Sequence, residues 1–207
     1  MSFSRTAIIS DIHGNLNALV AVFEDIARNN CDRTICLGDV VDGGPSDAAA
    51  VRFLMDHGIT TVRGNHDECA ELPSTSPEMQ FLNSLPPELI EGDIIFTHIT
   101  PRATERKIRD QYEAWNVFEE TPHRLAFVGH THIPAIYRYE PNVAGAAAIV
   151  PFQYATPIAI NPSHRYIVCV GAVGYGRDGI AAARYAILDS ARSALEVRRV
   201  DAPMLDL

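Results

Sequence analysis

Three times in its first 85 residues the chain repeats one local pattern: a short apolar run, a cluster of small and polar residues, then a stretch with helical periodicity. The run RTAIIS leads into DIHGN, and NLNALVAVFEDIARNN follows with Leu16, Leu19, Val20, Phe23 and Ile26 at helical spacing, which predicts one apolar helix face. Cys31 to Leu37, with TICL at its heart, runs into GDVVDGG. The next helix, DAAAVRFLMDHG, has Ser46 and Asp47 as capping candidates and Gly58 at its end. ITTV runs into RGNHDE, ahead of SPEMQFLNSL, where Ser76 and Pro77 mark a helix start. Repeated strand, turn and helix units specify a parallel α/β sheet, whose ligands gather beyond the carboxyl ends of its strands.

The later part reads differently. ELIEGDIIFTH predicts a hairpin turning at Gly92 and Asp93, with its second strand ending at His98. A long polar helix is expected from about Ala103 to Glu120. RLAFVGHTHIP is a buried strand that ends in two histidines. YIVCVGAVG and ARYAILDSARSALEVRRV read as strands with a hairpin around Ser190 to Ser193. A second, more antiparallel sheet is therefore expected after the parallel first half. ELPSTSP and EPNVAGAAAIVPFQ read as loops. The 207 residues are expected to form a single domain, residues 1–207.

Charge and composition narrow the function classes. A net charge of -9 disfavours broad binding to nucleic-acid backbones or anionic membranes. It is compatible with a small phosphate-bearing substrate, because a bound metal reverses the sign of a small region. No apolar run approaches a membrane span, and MSFSRTAIIS lacks the apolar core of a signal peptide. Cys31, Cys36, Cys69 and Cys169 are scattered and read as reduced core residues, not as a disulfide framework. These features together predict a cytoplasmic protein and leave its oligomeric state open.

The strand ends carry the chemistry. They deliver Asp11 with His13, then Asp39, then Asn65 with His66, then His98, then His130 with His132. His57, His123 and His164 lie elsewhere and read as surface or loop residues. Singly, each block has an ordinary explanation: GDVVDGG as a glycine-rich turn, GNHD as a turn with a left-handed Asn, His98 as a satisfied polar residue. Five strand ends bearing the same donor types have a shared explanation, which is convergence on one site. Imidazole and carboxylate donors suit Mn, Fe, Zn, Co or Ni, and the lack of cysteine in the set argues against structural zinc. The donors outnumber what one tetrahedral ion needs, so the expected cofactor is two divalent transition-metal ions.

Asp11-x-His13, GDVVD (Gly38 to Asp42), GNHD (Gly64 to Asp67), His98 and GHTH (Gly129 to His132) resemble, in order and spacing, the calcineurin-like metallophosphoesterases. The resemblance implies a four-layer α/β/β/α sandwich of two mixed sheets, with a dinuclear centre at the carboxyl ends of the strands. It implies that Asp11, His13 and His132 hold one ion, that Asn65, His98 and His130 hold the other, and that Asp39 bridges them. His66 would then be the general acid, oriented by the acid that follows it, Asp67. Gly14 would let the turn pass close to the site, ahead of a helix N-terminus that favours an anion.

VGAVGYGRDG followed by ARYAILD is similar to the closing segment of the family's small prokaryotic phosphodiesterases and phosphatases, with Ala172 in place of the usual serine. Arg177 is kept where it can reach a substrate phosphate, a surface role being the other reading. Gly43 stands where protein phosphatases, and some relatives that cut dinucleoside polyphosphates, have a phosphate-clamping arginine. Glycine cannot replace that clamp, and Arg63 or Arg177 are the candidates to compensate. The implied reaction is hydrolysis of a phosphate ester (a small phosphodiester, a nucleotide or a phosphomonoester) by a hydroxide bridging the two ions. Another reading is a protein-binding scaffold, a use some members make of this fold. The retention of every ligand and of His66 favours hydrolysis. A nuclease reading lacks a basic groove signature.

Overall fold

The computed structural model describes residues 4–42, 44–104 and 106–205; Gly43 lies outside them. In chain order the first strands are β1 (Arg5–Ile9), β2 (Arg33–Cys36), β3 (Thr60–Thr61), β4 (Glu88–Glu91), β5 (Ile94–Thr97) and β6 (Leu125–Val128). They are followed by β7 (Ala135–Arg138), β8 (Ala148–Ile149), β9 (Ile158–Ala159), β10 (Tyr166–Cys169), β11 (Ala183–Asp189) and β12 (Ala194–Val200). The helices are α1 (Leu16–Arg28), α2 (Asp47–Asp56), α3 (Pro77–Ser84) and α4 (Gln111–Glu120).

β1, β2 and β3 pair in parallel, with α1 and α2 as crossovers, as the repeated pattern predicts. The full sheet runs β3-β2-β1-β11-β12-β9, and the second runs β4-β5-β6-β10-β7-β8. The expected division into a parallel half and an antiparallel half is corrected here. The C-terminal hairpin β11–β12 returns to the first sheet and pairs antiparallel with β1. β10 inserts parallel to β6 in the second sheet, which also holds the parallel pair β5 and β6. The reason lies in burial. Every residue of β11 is buried, and a strand covered on both faces belongs inside a sheet that is itself covered on both faces.

Alternation along the strands sorts the core into layers. Ile8, Ile35 and Leu37 face Phe96, Phe127 and Val168 between the two sheets. The Phe96 and Phe127 rings stack there with centroids 5.3 Å apart. Ala7, Ile9 and Cys36 face outward, under Leu19, Val22 and Ile26 of α1 and Val51 and Leu54 of α2. On the opposite outer face, Ala114, Val117 and Phe118 of α4 cover Ile95, Ala126 and Ile167. The result is the four-layer α/β/β/α sandwich.

Several local expectations change. Val22, not Val20, completes the buried face of α1, and Val20 is 39% exposed. Ser46 stands at the N-cap of α2 without a side-chain capping bond, whereas Asp47 accepts the amides of Asp42 and Gly44. The helix expected from Ala103 begins only at Gln111. Asp110 stops it from starting earlier, with an extended backbone and a carboxylate that accepts the amides of Tyr112 and Glu113. Upstream, Ile108 is drawn into the core and no second large apolar residue offers a helical stripe. Cys36 and Cys169 are buried, but Cys31 is half-buried and Cys69 exposed, so only two of the four are core residues. The stretch 140–153 contains β8. No described helix is long and apolar enough to cross a membrane.

Phe127→Ala is expected to lower the unfolding free energy by about 3–5 kcal/mol, because it empties the layer between the sheets. Val20→Ala should change it by no more than ~0.5 kcal/mol. Urea titrations followed by circular dichroism measure both, and equal losses would contradict this placement of the core.

Candidate metal centre

The donors stand on turns that leave the carboxyl ends of β1, β2, β3, β5 and β6. Their backbones are unusual. Asp11, His13, Asp39, His130 and His132 have φ of 55°, 50°, 52°, 62° and 63°. The left-handed region costs an L-residue about 1–2 kcal/mol, and Asp and His tolerate it better than bulky residues do. Tertiary bonds hold it. The Asp11, Ile12 and Gly14 amides donate to the carbonyls of Gly38, Asp39 and Val40 at 2.8–3.0 Å, lacing the first turn to the second. Gly14 has φ 69°, and a β-carbon there would lie 2.3 Å from the Asp47 carboxylate. Gly64 packs as closely on the second turn, where a β-carbon would lie 2.1 Å from the Asp39 amide nitrogen. Asn15 caps α1 through the Ala18 amide and donates to the carbonyls of Gly174 and Pro203, tying in the C-terminal segment.

Three groups of side chains able to hold an ion result among the described residues, of which His13 with Asp42 and His66 is the more open one, and the other two contain the expected donors. Asp11, His13 and His132 bring ligand atoms within 4.8 Å of one another, and so do Asp39, His98 and His130. In the first group the Nε2 atoms of His13 and His132 lie 3.2 Å apart, and His132 Nε2 is 3.1 Å from Asp11 Oδ1. In the second, His98 Nε2 is 3.0 Å from Asp39 Oδ2 and 3.1 Å from Asn65 Oδ1. Asp39 Oδ2 also lies 3.9 Å from His13 Nε2, which places that carboxylate between the groups.

The donor set fits a divalent cation by a test internal to the geometry. His98 Nδ1 donates to the Leu37 carbonyl and His132 Nδ1 to the Tyr175 carbonyl, each at 2.9 Å. With the proton held on Nδ1, the Nε2 lone pair turns into the site, the arrangement that metal-binding histidines use. Electrostatics agree. Burial alone would raise the Asp11 carboxyl, but the His132 hydrogen bond and the charges of His98, His132 and His13 hold it below the usual range. Burial would also raise Asp39, and the His98 hydrogen bond and charge lower it instead. Burial opposes protonation of His98, yet Asp39 and Asp11 raise it to about 9. Burial lowers His13 to about 4, against the pull of Asp11 and Asp39. It lowers His130 to about 4 as well, aided by the charge of His98. A metal at His98 Nε2 would compete with a proton there.

His66 lies at the edge of the first group, its side chain 37% exposed. Its expected orientation by Asp67 is corrected. Asp67 turns away, and its carboxylate accepts the amides of Asp39, Val40, Val41 and Gly64. Burial pushes the Asp67 carboxyl up to about 6, against the pull of the Gly64 and Val40 amides. Asp42 takes the place expected of it, with Oδ1 2.5 Å from His66 Nδ1 and Oδ2 3.4 Å from His13 Nδ1. The signal for Asp42 was available in the GDVVD block, three residues beyond Asp39.

The two arginines also separate. Arg63 donates to the carbonyls of Asn83 and Leu85 at the end of α3 and is engaged there. Arg177 sits at the rim, donating to the His130 carbonyl at 3.4 Å and to the Tyr175 hydroxyl at 3.3 Å. Tyr175, which no sequence pattern singled out, supports both first-group histidines: its ring centroid is 4.8 Å from that of His13 and 4.3 Å from that of His132. Behind it, the fully buried Arg184 pairs with Asp178 and anchors the segment.

A family model described as calcineurin-like phosphoesterase matches residues 4–160. An uncharacterized protein of Methanocaldococcus jannaschii is 30% identical over 96% of the chain and 88% of its own length. Serine/threonine-protein phosphatase 1 of Salmonella typhimurium is 25% identical over 66% of the chain and 63% of its own length. The crystal structure of a metallophosphoesterase from Sphaerobacter thermophilus superposes with a TM-score of 0.82 at 29% identity, covering 97% of the chain and 89% of that structure.

Asp67→Ala would strand four buried amides, and it is expected to destabilise the protein by roughly 3 kcal/mol or more. Denaturant unfolding measures this. A loss of activity with no loss of stability would return Asp67 to a direct role beside His66.

Proposed function

The chain belongs to the calcineurin-like phosphoesterase family, and from that premise we propose that it hydrolyses small phosphate esters with two divalent transition-metal ions. The observation that carries this reading is the inward turn of the imidazole Nε2 atoms onto two carboxylates, with Asp39 between the two donor groups. Asp11, His13 and His132 would hold one ion, Asn65, His98 and His130 the other, and Asp39 both. Mn, Fe, Zn, Co and Ni all suit this imidazole and carboxylate set. When bound, such ions supply Lewis acidity toward phosphoryl oxygens and lower the pKa of water.

The chain's own residues do the rest. Burial of Asp11, His13, Asp39, His98 and His132 excludes bulk water from the donor atoms and strengthens their electrostatics. His66, at the mouth, is the proton donor to the leaving oxygen. Asp42 holds its Nδ1, which leaves Nε2 as the nitrogen that meets the substrate. Asp42 and His66 therefore act as a pair, in the way a carboxylate orients a catalytic imidazole.

Two outcomes test this reading. Asp39→Asn is expected to lose bound metal, by elemental analysis, together with activity. His66→Asn should keep its metal and lose about 10²–10⁴ in turnover. That loss should be far larger on an alkyl ester than on a 4-nitrophenyl ester, because nitrophenolate leaves without a proton. Asp42→Asn should follow the His66→Asn pattern, and the double variant should be little worse than either single one, since the residues act as a unit. Loss of one metal in His66→Asn, or equal losses on both esters, would make His66 a ligand instead of an acid.

A further inference from the structure

Two openings flank the donor groups, and they differ in the state of their cations. The one beside Asn65 and His98, of about 300 Å³, is bordered by Arg63 and Arg102. Both are engaged, Arg63 with backbone carbonyls and Arg102 with Glu113 and Glu120. The other, of about 350 Å³, is bordered by Lys107, Arg109 and Arg177. No carboxylate among the described residues forms an ion pair with any of these three. Three unpaired cations around one cavity, in a chain of net charge -9, make a local positive field.

This cavity neighbours the centre through Thr131 and Arg177. Thr131 lies in its wall, between His130 and His132, and Arg177 donates from the same wall to the His130 carbonyl. The Lys107 charge also bears on His130. The remaining wall is apolar. Ile108 and Tyr137 are nearly buried in it, and Ile133 stands 43% exposed in its lining. At 350 Å³ it is near the lower limit of small-molecule pockets, a size that fits a ring system.

Resting on the hydrolase reading above, we propose that this cavity receives the part of the substrate that is not transferred. That part carries a flat apolar group, against Ile133 and Tyr137, and a second anion, held by Lys107 and Arg109. Arg177 stands between the cavity and the centre and contacts the phosphate that joins the two parts. The substrate class is an organic phosphate with a ring and more than one negative group, of which a nucleoside diphosphate is the simplest probe.

The test is calorimetric titration of manganese-loaded protein with a non-hydrolysable nucleotide, adenosine 5′-(α,β-methylene)diphosphate, beside methylenediphosphonate and adenosine alone. The nucleotide is expected to bind at least about tenfold tighter than either fragment. Ile133→Asp should cut the preference over methylenediphosphonate, which lacks the ring, and the double variant Lys107→Ala with Arg109→Ala the preference over adenosine, which lacks the anions, each by about tenfold, with metal per chain and melting temperature retained. Equal affinity for the nucleotide and methylenediphosphonate would overturn the proposal, as would a preference that survives both variants. Failure of the hydrolase reading looks different: manganese-loaded protein would then turn over no 4-nitrophenyl ester, whatever the titrations show.

Discussion

The structure depends on holding two buried carboxylates and a ring of imidazoles against one another. Asp11 and Asp39 are buried, and both sit in left-handed backbone, as do His13, His130 and His132. Each of those conformations is unfavourable alone, and so is the burial of an ionised carboxylate. The protein compensates with backbone hydrogen bonds that lace the turn after β1 to the turn after β2, and with glycines where those turns touch. Such strain persists only where the surroundings over-determine it, and it gathers where geometry matters for chemistry. The sandwich supplies the surroundings: both sheets send the ends of parallel strands to one place.

Support for the donors comes from residues that do not themselves reach the donor groups. Asp67 gathers four amides beneath the turn that carries Asp39. The carbonyls of Leu37 and Tyr175 set the tautomers of His98 and His132. Arg184 and Asp178 fasten the segment that presents Tyr175 and Arg177. The closing part of the chain thus belongs to the centre as much as the first strand does, and this gives a physical reason for β11 to return beside β1. In that position it also covers what would otherwise be an open sheet edge.

The sequence itself determined what depends on neighbours along the chain. An apolar run marked β1, helical spacing α1, a Ser-Pro start α3 and a Gly-Asp turn the β4–β5 hairpin, and seven donors at strand ends pointed to one convergent site. A strand end is a fixed place in an α/β sheet, so donor identity at that place carries over into space. What only the tertiary structure decided were questions of direction and partnership. Both Asp42 and Asp67 are acids in short turns near His66, and nothing local says which faces it. The fold answers because four amides capture Asp67 and leave the imidazole to Asp42. The same holds for the cations: Arg63 spends its guanidinium on the end of α3, while Lys107, Arg109 and Arg177 border a cavity. The late start of α4 and the sheet chosen by β11 and β12 are of this kind too. Each turns on contacts between residues far apart in sequence, whose energies no local pattern contains.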